Sequence, residues 1–133
     1  MKIKELSREV ARLLATQDGF TIDNQGDPLP QGYTVGGLKR EDGDALAHYL
    51  QPSNKAELAA LEAEIGKLLD TAADLLSNGA FIGGWRNGDT LALDLVTVTR
   101  GYKKAAQLAK EREQIAFGEI ASYRYVNEHR IER

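Results

Sequence analysis

His48 and His129 are the only histidines. They stand 81 positions apart, and neither has a second ligand-type residue at a metal-site spacing. A Ser-His-Asp relay assembles from distant positions, but no G-x-S-x-G or similar strand-turn-helix elbow exposes a nucleophile. The chain has no cysteine. Thiolate nucleophiles, disulfides, zinc ribbons and iron-sulfur ligation are therefore excluded, and the composition fits a reducing compartment. Glu41, Asp42 and Asp44 crowd the expected start of a short helix, where acids complement the macrodipole. Gly32, Gly36, Gly37 and Lys39 lack the spacing of a phosphate loop. No hydroxyl residue follows Lys39, and Glu41 and Asp42 would repel a phosphate. Gly83-Gly84 falls in a strand pattern and not at a helix start, so it lacks the aligned amides of an anion site. Asp94 is the acid that stands inside an apolar run. Beside Phe81 and near Trp85 and Arg86, it is either desolvated with an altered pKa or paired with Arg86 or a base from a neighbouring element. No metal and no cofactor is expected.

The elements that place Asp94 run from Ala80 to Val126. Asn87-Gly88 between two apolar runs is a strong hairpin signal, because a type I′ turn needs positive φ at both central positions. With those two residues as the loop, Trp85 faces Thr90, Gly83 faces Ala92, Ile82 faces Leu93 and Phe81 faces Asp94. Opposed residues of an antiparallel pair share a face. Ala80, Ile82, Leu91, Leu93 and Leu95 thus form the core side, and Phe81, Gly83, Trp85, Ala92 and Asp94 the other. That second face is either a recognition surface or one covered by a helix that Gly83 allows to approach. After Thr99, a plausible N-cap, the period changes to that of a helix carrying Tyr102, Ala105, Ala106 and Ala109 on one stripe. The chain becomes extended again at Ile115–Phe117 and from Ile120 to Val126, with Gly118 as a bulge. A strand, helix, strand unit of this length fits a right-handed crossover in a mixed sheet.

Upstream, Ile3, Leu6, Val10, Leu13 and Leu14 fall on one side of an opening helix that Gly19 ends. Phe20–Asp23 and Tyr33–Val35 read as short strands around a loop with Gly26, Pro28, Pro30 and Gly32, forming an edge hairpin or ordered loop that presents Tyr33. Glu41–Leu50 reads as a short helix ending before Pro52. Asn54 and Glu57 then make a capping-box-like start for the longest helix. There Leu58, Leu61, Ile65, Leu68, Ala72 and Leu75 form a heptad-like seam, widened by Leu69 and Leu76 and closed by Ser77, Asn78 and Gly79. This seam packs on the chain's own sheet or, as the alternative, makes a homodimer through the 54–78 helix.

At 133 residues, 42% hydrophobic and 28% charged, the chain suits a single domain over 1–133. The net charge is −3, with −6 over residues 41–79 and +2 over 80–133. No whole-chain basic footprint for nucleic acid exists. Lys103, Lys104, Lys110 and Arg112 alternate with Glu111 and Glu113, as on a solvated helix face. The opening helix lacks a signal-peptide core and no stretch is long enough to span a bilayer, so a cytoplasmic protein is expected.

Gly19-Phe20-Thr21, Pro30, Gly32-Tyr33, Val35, Gly84-Trp85, Leu93-Asp94, Ala105, Ala109 and Gln114-Ile115-Ala116-Phe117 together resemble a small uncharacterised domain of actinobacteria, their phages and mobile elements. The resemblance spans most of the chain except the long helix. It implies a cytoplasmic accessory protein and transfers no catalytic residue. The expectation is a single α+β domain with a small mixed sheet (hairpin, crossover helix and strand), packed with a long amphipathic helix and an N-terminal one. With no catalytic constellation, it reads as a protein-interaction or regulatory module. Tyr33, Phe81, Trp85, Arg86 and Asp94 form its binding surface, and another protein is its partner. The alternative is a small-molecule or nucleotide-binding domain, including an enzyme, with a pocket between that face and the 28–35 loop.

Overall fold

The computed structural model describes residues 1–132 apart from 41, 42 and 45. Four helices, α1 (Ile3–Thr16), α2 (Lys55–Thr71), α3 (Ala73–Ser77) and α4 (Tyr102–Glu111), accompany nine strands. The strands are β1 (Gly19–Ile22), β2 (Gln31–Val35), β3 (Lys39–Arg40), β4 (Gly43–Asp44), β5 (Ala47–Leu50), β6 (Phe81–Asn87), β7 (Thr90–Thr99), β8 (Ala116–Ala121) and β9 (Arg124–Arg130). Seven strands form one sheet in the order β1-β6-β7-β2-β8-β9, with β5 also on β7, and β3 pairs β4 separately. The fold is α+β, and every neighbouring pair is antiparallel. The expected mixed sheet is realised differently. Crossover helix α4 does make β7 and β8 point the same way, but β2 lies between them, antiparallel to both. The sheet curls until its end strands β1 and β9 come within 8 Å at Cα.

β7 organises this curl. One of its edges carries β6 along residues 90–96, and the other carries β5 along 90–93 and then β2 along 97–99. Its odd-numbered leucines, Leu91, Leu93 and Leu95, are fully buried with Ile82 beneath α1 and α2, among Leu6, Val10, Leu14, Leu61, Ile65 and Leu69. The seam expected on the long helix is thus largely spent on its own core, with Leu58 left exposed. Further along the same face a second cluster joins Val35 and Phe117 to Ala105 and Ala109 of α4. All these helices therefore gather on one face of the sheet. On the other face Ala92, Asp94, Val96, Thr34 and Ile120 are buried as well. No covering helix explains Gly83: a Cβ there would come within 3.1 Å of Val96 Cγ1, and one at Gly32 within 2.8 Å of Val98 Cγ1. Small residues let the sheet close on itself.

Several local expectations are corrected. The two-residue β6–β7 loop is Gly88-Asp89, so Trp85 pairs Ala92, Gly83 pairs Asp94, Ile82 pairs Leu95 and Phe81 pairs Val96. Only Gly88 has positive φ (62°), the sign pattern of a type II′ turn with glycine first. The partner moves by two positions, so each side chain keeps its face. α1 ends at Thr16, and Gly19 opens β1 instead of capping the helix. β1 and β2 do not form a hairpin: β1 pairs β6, and β2 lies inside the sheet with Val35 wholly buried. Within the segment expected as a helix, residues 47–50 form β5 because β7 offers an edge there, while 41, 42 and 45 lie outside the described residues. The N-cap of α4 is Gly101 and not Thr99, which ends β7. The Asn54 side chain accepts from the Glu57 amide at 2.9 Å as expected, and Glu57 reaches back to the Ser53 amide at 2.8 Å. Ile120–Val126 is broken by a turn at Ser122-Tyr123, both with positive φ (50° and 64°), and β9 carries the chain onward to Arg130.

Candidate functional site

The five residues expected on one surface are dispersed. Trp85 and Ile82 point to opposite faces, and Trp85 stays open, 43% exposed, while Phe81 is half-buried. Arg86 belongs to the helix-covered face, because it alternates with Trp85. Its Nη2 donates to Ala15 O at 2.7 Å and Leu14 O at 3.3 Å, so it supplies the positive charge at the C-terminal end of α1, whose last turn has no basic residue. That role puts Arg86 on the opposite face of the sheet from Asp94.

Asp94 is 6% exposed and sits where β7 passes from β5 to β2. Among the described residues no strand lies beside 94–96 on that edge, so backbone groups there need other partners. The Gly37 amide donates to Asp94 Oδ2 at 3.3 Å. Arg112, at the end of α4, donates through Nη1 to Val35 O (3.0 Å) and Gly36 O (3.3 Å) and through Nη2 to Thr97 Oγ1 (2.7 Å). Burial pushes the Arg112 pKa down, and the nearby Asp94 and Glu111 charges oppose that. Arg112 is thus drawn inward, away from the solvated helix face expected of Lys103, Lys104, Lys110 and Arg112. A Cβ on Gly36 would lie 2.5 Å from Asp94 Oδ2, which explains the glycine and puts a carboxylate where a phosphate loop would need donors. The acid ties a strand junction together. Beside it a cleft of about 310 Å³ is lined by Gly37, Lys39, Glu111, Arg112 and Glu113.

Tyr33 lies in an aromatic nest. Its ring is 5.8 Å from Tyr102, 5.9 Å from Phe117 and 5.9 Å from His129, each edge-on, while Phe117 and His129 stack at 5.2 Å. His129 Nε2 lies 2.7 Å from Glu119 Oε1. β9 seats His129 opposite Phe117, and the Tyr102–His129 contact at 5.1 Å fastens α4 to the sheet. Among the described residues no group of three or more His, Cys, Asp or Glu gathers as a metal site.

The surface around Trp85 has members the sequence reading did not include. On β5, His48 and Leu50 share the face of Ala92, since His48 pairs Ala92 and Leu50 lies two residues on, and Leu46 stands just before the strand. Leu46 is 41% exposed and Leu50 79%, and His48 is exposed between them. With Ala92 buried beneath, these three and Trp85 form an open, uncharged strip at one edge of the sheet. The alternation in Leu46-Ala47-His48-Tyr49-Leu50 is the signal that pointed to a strand, and the acids upstream masked it as a helix start. No family model, no curated protein and no solved structure matches this chain.

Proposed function

We propose that the chain is a non-enzymatic protein-interaction module, an accessory or regulatory part that takes an extended segment of protein onto β5 beside Trp85. The observation that carries this reading is the outer edge of β5, which among the described residues pairs only β7 on its inner side: a strand without charge or proline, with exposed Leu50 on it and exposed Leu46 and Trp85 nearby. Strand addition draws affinity from main-chain hydrogen bonds and selectivity from alternate side chains. Asp94 is buried and accepts from the Gly37 amide, and half-buried Arg112 is spent on backbone carbonyls, which speaks for structure at the position that otherwise invited catalysis.

Trp85 is the only tryptophan, so its fluorescence reports on this surface directly. Strong iodide quenching is expected in the free protein. A panel of extended β-forming peptides should include binders that shift the Trp85 emission and protect the His48 and Leu50 amides from exchange, with affinity lost at least tenfold in Leu50→Lys. In monomeric protein, a panel without binders, or binding indifferent to Leu50→Lys, overturns the reading. The small-molecule alternative rests on the 310 Å³ cleft, at the lower limit of ligand pockets and lined by two acids and two bases.

A further inference from the structure

The geometry points to a second copy of this chain as the occupant of β5, paired antiparallel across a two-fold axis at His48. The inference rests on the β5 reading above and names the partner.

The three outer edges of the sheet are treated differently. β1 is closed by its own loop: Ile22 bridges Pro28, and the Asp23 amide donates to Asp27 O at 2.9 Å. β9 carries Arg124, Glu128 and Arg130 and is bulged opposite Glu119/Ile120, devices that discourage strand pairing. β5 has no such guard among the described residues. Its hydrogen-bonding phase follows from Gln51, whose amide donates to Asp89 O at 2.8 Å. Amides and carbonyls alternate sides along a strand, so Gln51, Tyr49 and Ala47 are directed at β7, and Leu46, His48 and Leu50 turn theirs outward.

Two copies joined through this edge must keep their faces in common, which permits an axis at His48 or at Tyr49. With His48 opposite its twin, Leu46 meets Leu50 of the other copy. All three pairs are of the hydrogen-bonded kind, each exchanging two bonds, about six in all. An axis at Tyr49 leaves about four and sets Leu46 against Pro52, which has no N–H to give. The His48 register also lays exposed leucine against exposed leucine on the Trp85 face, a favourable cross-strand pair. No charged residue lies between 46 and 50, so no like charge is brought across the axis, and the patch is self-complementary as a two-fold contact requires.

The test uses the absence of cysteine from the whole chain. Sedimentation equilibrium should give twice the monomer mass of 14.6 kDa for the wild type. Leu50→Lys should raise the dimer dissociation constant at least tenfold while melting like the wild type at concentrations where both are monomeric, which excludes misfolding. Under mild oxidation His48→Cys should form a disulfide with itself, since Cα atoms about 5.5 Å apart in such a pair lie within disulfide reach. Leu50→Cys alone should not crosslink, but mixed with Leu46→Cys it should. A monomer at all concentrations up to about 1 mM, or a dimer whose crosslinks ignore this register, overturns the inference. A monomer that still binds extended peptides in a Leu50-dependent way overturns self-pairing alone. A monomer that binds none overturns the interaction reading as well.

Discussion

β5 and β9 are both edge strands, and they differ in how they meet solvent. β9 is almost wholly exposed, yet it carries two arginines and a glutamate, and its bulge leaves Val126 out of register. β5 is shorter and uncharged, and it puts leucine where β9 puts arginine. An open edge costs little when charged and invites pairing when apolar. The contrast teaches that position at an edge is not the signal of a binding surface: the signal is an edge left without the usual deterrents.

The largest expected effects come from removing what anchors each strand on its inner side. Phe117→Ala, opposite His129, should cost about 3–5 kcal/mol, and Leu93→Ala, opposite Ala47, about 2–5 kcal/mol. Denaturant melts measure both. Native-state amide exchange should show β9 loosening first in the one and β5 in the other, and identical exchange patterns would erase the distinction between the two edges. A smaller change of opposite sign is expected at the turn into β9. Ser122 and Tyr123 both occupy the left-handed region, which disfavours side-chain-bearing residues, so the pair Ser122→Asn, Tyr123→Gly should stabilise the protein by about 1–2 kcal/mol. The variant keeps the backbone amide that donates to Pro30 O at 3.2 Å, so a lowered melting temperature would show that the Tyr123 side chain contributes more than its strain costs.

The smallest effect is electrostatic. Burial, with a contribution from Glu64, raises the pKa of Tyr49 on β5, and burial with Glu128 raises that of Tyr125 on β9. In each case the unfolded chain loses its phenolic proton first, near pH 10, so stability present below that pH is lost as the pH rises past it. Tyr49→Phe and Tyr125→Phe should each flatten the alkaline limb of the stability profile. Unchanged profiles would mean that neither phenol is desolvated.

What the sequence disclosed depended on whether the information was local. The alternation through Ile82, Leu91, Leu93 and Leu95 placed the core face correctly, and because side chains alternate with period two, misplacing the turn by one residue left each side chain on its face. Asn54 with Glu57 was legible because a cap lies within one turn. The Ser122-Tyr123 reversal was not, since it uses neither glycine nor asparagine and gains its support from Pro30 far upstream. Arg86 and Asp94 looked like neighbours along the strands, but alternation parts them, and their partners lie in α1 and at the end of α4. Of the candidate surface, Trp85 could be read from the hairpin. Leu46, His48 and Leu50 could not, because only the free flank of β7 makes that segment a strand.

The ten-residue length of β7 has a mechanical consequence. One half of it supports the cluster under α1 and α2, and the other half, through β2, supports the cluster under α4. The two clusters are joined through that strand, so they are expected to melt as one cooperative unit, and a break in its middle would let each loosen alone.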